Sequence, residues 1–248
     1  RRFLVFETKV QIAAQVLASR DVERRNTAQQ VDLTLRHPEL QVPDPFGDLT
    51  VTVLQNMRWD DARTGARPKF VRGNELVYDF PPETLFDGGN EWRPLNAKST
   101  RFNAPGIANI KTDAELVEFF MVPDIKRNIR VYLDQPDLNG RYLTKTDDGY
   151  DAALESDYVH VYWQLPMSQQ LPGDVFVYGA FSDFQCWNEY RMAYDAPNQR
   201  YYLRGMVKQG FIDYQYAYLA PGSTVPDLTT IEGTHFATEN DYCVLVYF

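Results

Sequence analysis

The stretch from Gly173 to Leu219 constrains the fold more than any other part of the chain. Three runs rich in Val, Tyr and Phe (Val175–Tyr178, Arg200–Val207 and Phe211–Leu219) are separated by Gly179 through Asp183, by Asp195-Ala-Pro-Asn198 and by Gln209-Gly210. β-Branched and aromatic runs bounded by Gly, Pro, Asn and Asp are the sequence form of antiparallel strands. In the third run Ile212, Tyr214, Tyr216 and Tyr218 alternate with Asp213, Gln215 and Ala217, which predicts one apolar and one wetter face. Val175–Tyr178 has no polar face and reads as a central strand covered on both sides. Two sheets packed face to face satisfy these patterns.

The same stretch resembles the early-set immunoglobulin-like modules, glycogen- and starch-binding ones among them. In those binders a Trp follows the acidic residue of the turn after the first strand and stacks on sugar. Phe184 stands there after Asp183, with Trp187 three residues on. Asp183, Phe184 and Trp187 are therefore the candidate ligand-binding residues of a carbohydrate-binding reading.

Composition narrows the function. The 248 residues suffice for two ordinary domains, and 14% aromatic content favours an all-β protein. A formal charge of −9 argues against nucleic acid and against a polybasic dock on anionic lipid. No run approaches 18 apolar residues, so direct membrane insertion by a helix is not expected. Arg1-Arg2-Phe-Leu-Val-Phe-Glu7 is too short in its apolar part for a signal sequence. Without an initiator Met the chain reads as a fragment, with Phe3–Val5 the end of a strand.

Alternation continues along the chain. Strands are expected over Thr8–Ala18, Val31–Leu35, Leu49–Val53 and Leu76–Phe80, and over Asp157–Leu165 with Val159, Val161, Trp163 and Leu165 on one face. Leu116–Val122 is a further extended candidate, although Asp113–Phe120 is also the one place where a short helix is arguable, and Tyr242–Phe248, apolar throughout, reads as buried on both faces. Val122-Pro-Asp-Ile-Lys-Arg-Asn128 reads as a domain junction, followed by a strand over Ile129, Val131 and Leu133 and an Asn139-Gly140 hairpin turn. The expected architecture is two immunoglobulin-like or early-set β-sandwiches in tandem, over residues 1–124 and 125–248.

Chemistry is sparse. The sequence carries no nucleophile elbow, zinc helix, phosphate loop or dinucleotide fingerprint, so no enzyme, catalytic residue, metal site or cofactor is expected. His37, His160 and His235 lack ligand spacing. The loops Asp134–Gly140 and Asp147–Asp151 are oxygen-rich, but Asx side chains in turns commonly bond their own backbone. Cys186 and Cys243 read as separate thiols, the latter a small core filler.

Six motifs occur in order: Gln55-Asn-Met-Arg-Trp-Asp60, Gly88-Gly-Asn-Glu-Trp-Arg93, Asp137-Leu-Asn-Gly-Arg141, Asp157-Tyr158, the Gly173–Leu219 stretch, and Ile231-Glu-Gly-Thr-His-Phe-Ala-Thr-Glu-Asn-Asp-Tyr242. This series is similar to the plug protein family of the type IX secretion system of Bacteroidota, over nearly the whole chain. Trp92 departs from the family's usual Phe. The resemblance implies a non-enzymatic periplasmic protein of consecutive immunoglobulin-like domains, associated with the outer membrane. Its partner would be the very large outer-membrane β-barrel translocon, whose periplasmic end it closes. Asn90, Glu91, Trp92 and Arg93, with Glu239, Asn240, Asp241 and Tyr242, are expected to be structural. The alternative from another class is a carbohydrate-binding module beside a glycan-degrading enzyme.

Overall fold

The computed structural model describes residues 7–113, 116–149 and 151–248. The strand expected at Phe3–Val5 lies outside them. The protein is all-β, and its chain divides into two compact units: unit 1 runs to Gly88 and resumes at Thr234, and unit 2 is Gly89–Gly233.

Unit 1 begins with β1 (Gln11–Ala18), β2 (Ala28–Arg36), β3 (Thr50–Gln55), β4 (Arg63–Thr64), β5 (Phe70–Arg72), β6 (Glu75–Tyr78) and β7 (Leu85–Asp87). Unit 2 holds β8 (Arg93–Asn96), β9 (Ile107–Thr112), β10 (Val117–Met121), β11 (Tyr142–Thr144), β12 (Tyr158–Pro166), β13 (Asp174–Tyr178), β14 (Ala193–Asp195), β15 (Arg200–Lys208) and β16 (Gly210–Leu219). The last strand, β17 (Tyr242–Tyr247), returns to unit 1 and pairs antiparallel with β3.

In unit 1 the sheet β1-β2-β6-β5, with β7 also on β2, packs against the sheet β17-β3-β4. Val31, Leu33, Leu35, Leu76 and Tyr78 from the first meet Val51 and Val53 from the second. β17 has one strand neighbour and is half-buried, not buried on both faces as its apolar sequence suggests. β1 is exposed along most of its length, an edge strand whose alternation follows the pleat and not burial.

In unit 2 the sheet β14-β15-β12-β10-β9 faces β11-β16-β13, with β8 also on β16. Val159, Val161, Trp163 and Leu165 of β12 are all buried, in the alternation expected from sequence. Tyr214, Tyr216 and Ile212 oppose them in one core. β16 is the covered central strand, because Asp213, Gln215 and Ala217 are as buried as the tyrosines between them. β13 is buried too, but it lies at the end of its sheet and is covered by the following loop, where Met192 N donates to Val175 O at 2.8 Å. The sequence therefore exchanges the roles of these two strands.

Three further readings are decided by the structure. Val117–Met121 is a strand, in line with the extended candidate over Leu116–Val122 and against the arguable helix over Asp113–Phe120; Asp113 N donates to Leu116 O at 3.0 Å before it, and residues 114 and 115 are outside the described ones. The junction expected over Val122–Asn128 lies inside unit 2: Asp124 N bonds Gln164 O at 2.8 Å, and Arg127 N bonds Ile231 O at 2.9 Å. The boundaries 1–124 and 125–248 give way to one interrupted unit and one continuous unit. Ile129, Val131 and Leu133 form no strand; Asn128–Arg130 turns, and residues 131–138 take no regular structure.

Candidate functional site

Two polar clusters account for most of the motif residues, one in each unit. In unit 2 the chain enters β8 through Asn90-Glu91-Trp92-Arg93, all buried. Arg93 is the hub. Its Nε and one terminal nitrogen donate to the two oxygens of Glu232 at 3.0 and 2.9 Å, a planar bidentate pair. The remaining reach of the guanidinium goes to Asp124 Oδ1 at 3.0 Å and Ile125 O at 2.7 Å. Glu232, fully buried, also accepts from Arg127 Nε at 2.7 Å and from Tyr216 N at 2.8 Å. Asp124 accepts the hydroxyls of Tyr214 and Tyr216, both at 2.7 Å.

Burial alone would push the Glu232 carboxyl up, but Arg93 and Arg127 outweigh it and hold the group below its ordinary range. Burial, reinforced by Asp124, drives the Tyr214 and Tyr216 hydroxyls well up, so both remain donors. Asn90 completes the cluster by donating to Glu232 O at 2.7 Å, and Gln215 Nε2 donates to Asn90 O at 2.7 Å. Arg127 also reaches Glu91 O at 2.8 Å, and the Tyr132 hydroxyl meets the Glu91 carboxylate.

The Asp137–Arg141 motif closes over this cluster. Asp137 accepts Trp92 N and Asn139 N. Asn139 and Gly140 have φ of 55° and 79°, the double left-handed turn that favours Asn-Gly, with Arg141 N on Leu138 O at 3.2 Å. A side chain at Gly140 would stand 2.6 Å from the Trp92 indole, so close packing as well as φ requires glycine. Asp213 lies beneath the turn and accepts Leu138 N and Gly140 N, the latter at 3.2 Å, while its Oδ1 has no hydrogen-bond partner among the described residues. Burial, with Asp137 nearby, pushes this carboxyl up to about 7.

In unit 1, Gln55–Asp60 and Thr238–Tyr242 close on each other. Asn56 and Met57 take left-handed φ of 54° and 58° after β3. Asn56 Nδ2 donates to Asn240 Oδ1 at 2.7 Å, and Asp241 N donates back to Asn56 Oδ1 at 2.8 Å. Asn240 Nδ2 reaches Gln29 Oε1 at 2.9 Å and Gly88 O at 2.8 Å; Tyr242 donates to the same Gln29 oxygen at 2.6 Å. Glu239 is exposed beside this cluster. Arg58 and Asp60 form a mostly buried ion pair at 2.6 Å.

The residues of the carbohydrate-binding reading are not gathered into a platform. Asp183 and Phe184 form a left-handed turn (φ 50° and 54°). The Phe184 ring turns inward, edge-on to Trp92 at 6.0 Å and to Tyr178 at 5.9 Å, while Trp187 is exposed. Of the oxygen-rich loops, Asp148 is engaged by Thr100 N and by the hydroxyls of Ser99 and Thr100 at 2.9 Å. Among the described residues no group of His, Cys, Asp and Glu is arranged to hold a metal ion.

Sequence reasoning passed over Asp124, Arg127 and Asp213. The first two sit in a polar run that reads as linker, and Asp213 sits on a face that reads as wet. A burial-blind alternation carries no signal for a buried charge. Beside the cluster, a cleft of about 690 Å³ opens between Pro105-Gly106, Met121 and the Val122–Gln135 segment.

No protein-family model matches the chain, and no curated protein shows significant similarity to it. It is similar to the crystal structure, at 2.30 Å, of a hypothetical protein from Parabacteroides merdae ATCC 43184, with a TM-score of 0.89 and 27% identity. The likeness covers 97% of this chain and 60% of that one, so the chain spans about three-fifths of the protein it matches.

Proposed function

We propose that this chain is part of a non-enzymatic periplasmic plug that associates with the large outer-membrane β-barrel translocon of the type IX secretion system and seals it. The observation that carries this reading is the use to which the motif residues are put. Asn56, Asn90, Arg93, Asn240 and their partners are committed to hydrogen bonds inside each unit, which stiffen a body and do not converge on a substrate. A seal requires shape and rigidity, and close-packed aromatic cores such as Trp163 against Tyr214, 6.1 Å between rings, provide both. The similar structure comes from Parabacteroides, a member of the Bacteroidota, the group in which the family resembled by the motifs occurs.

A glycan-binding module would need coplanar exposed rings, and the inward Phe184 leaves Trp187 without that partner. The reading is tested by affinity purification of the tagged full-length protein from the native cell envelope. The expected result is co-purification of a giant β-barrel at a fixed ratio, weakened by salt because the chain carries −9. Co-purification of a glycan-degrading enzyme instead, with retardation of the protein in gels containing soluble α-glucan, would transfer the assignment to the carbohydrate-binding class.

A further inference from the structure

The cleft beside the Arg93 cluster is bordered by the segment that the sequence reads as a strand and the structure leaves unpaired. Ile129, Val131 and Leu133 are 91%, 93% and 73% exposed, and Val122 and Ile125 add to the same apolar strip. The segment is nevertheless held: Arg127 N and Asn128 N both bond Ile231 O, and the Tyr132 hydroxyl points inward to Glu91. A fixed backbone presenting aliphatic side chains to solvent is the form of a preorganised docking surface.

Charge selects the occupant. Three arginines and one aspartate line the cleft. Arg93 and Arg127 are matched by Asp124 and by Glu232 beneath, which leaves Arg130 as the exposed charge of the lining, with Lys126 nearby in sequence on one side and the exposed Asp134 after Leu133 on the other. An aliphatic strip whose unmatched lining charge is Arg130, on a chain of net charge −9, is complementary to an aliphatic segment that brings a carboxylate to that arginine. We propose that this cleft docks an extended segment of a partner protein in which aliphatic side chains alternate with carboxylates. The aliphatic groups enter against Val131, Leu133 and Met121, and a carboxylate pairs with Arg130. This surface is separate from the sealing role and stands whether or not that role holds.

The probe is a short fluorescein-labelled peptide of alternating leucine and glutamate, compared by anisotropy with counterparts carrying lysine or serine in place of glutamate. The acidic peptide is expected to bind at least about tenfold more tightly than either counterpart. Val131→Asp and Leu133→Asp, both at exposed positions, are expected to weaken it by about tenfold or more at unchanged Tm, and Arg130→Glu to shift preference to the lysine peptide. Absence of binding, equal binding of the three peptides, or binding indifferent to these substitutions would overturn the proposal. So would a concentration-dependent dimer abolished by Val131→Asp, which assigns the strip to self-association. Binding to phosphatidylglycerol vesicles that needs Val131 and Arg130, with no peptide binding, would assign it to lipid and likewise overturn the proposal.

Discussion

Arg93→Ala is expected to destabilise unit 2 by about 3–5 kcal/mol, the range for removing one partner from a buried ion pair. The size follows from what remains. Glu232, fully buried, would keep Tyr216 N and a single cation, Arg127, and the Asp124 carboxylate would face two tyrosine hydroxyls without its guanidinium. A domain of ordinary stability has roughly 5–15 kcal/mol in total, so the loss is a large fraction. Arg93→Lys keeps the charge but not the planar fork, and should fall between wild type and alanine. Glu232→Gln should cost less in the alanine background than alone, because the two groups share one network. Urea unfolding followed by tryptophan fluorescence reads wild type and the four variants. A loss below about 1 kcal/mol for Arg93→Ala would mean that the ion pair is incidental to the fold.

Asp213 yields the second large effect, with the opposite sign to Glu232. Its ordinary value of 3.8 in the unfolded chain rises to about 7 in the folded one. Between those values the folded protein holds a proton that the unfolded chain has released, so this group's contribution to stability falls as pH rises through the window. The difference corresponds to roughly 4 kcal/mol at most, fully expressed above pH 7. Asp213→Asn can keep an acceptor for Leu138 N and Gly140 N while removing the titration. Its stability relative to wild type is expected to climb by several kcal/mol between about pH 4 and pH 8. A difference that stays constant across that range, measured by denaturant unfolding, would show that Asp213 remains ionised in the fold.

These two residues also mark the limit of what the sequence disclosed. The alternation of Val159, Val161, Trp163 and Leu165 is legible because one pleated face of β12 is apolar and the other is not. On β16 the same rule misleads, since Asp213 and Gln215 are polar yet buried, each anchoring a loop. Val122–Asn128 reads as a linker because it is polar and holds a Pro, although Asp124 and Arg127 are charged for the sake of interior partners. β17 pairs with β3 across nearly the whole chain, and no local pattern announces so distant a neighbour. Ile129–Leu133 shows the converse: a strand-like alternation is present, but no strand among the described residues pairs with it. The motif residues Asn90 to Arg93 and Asn240 to Tyr242 were identifiable as a set, but their partners Glu232 and Asn56 became evident only from the folded geometry.

Rigid units held by internal polar clusters would suit the proposed sealing role. In that role a net charge of −9 would make association with any basic partner surface sensitive to salt. The most direct measurement is to delete the full-length protein in its native bacterium and follow entry of a large antibiotic or dye that the outer membrane normally excludes. The expected result is increased entry, reversed by the wild-type protein and not by a stability-impaired Arg93→Ala form. Unchanged permeability together with normal secretion would contradict the sealing role.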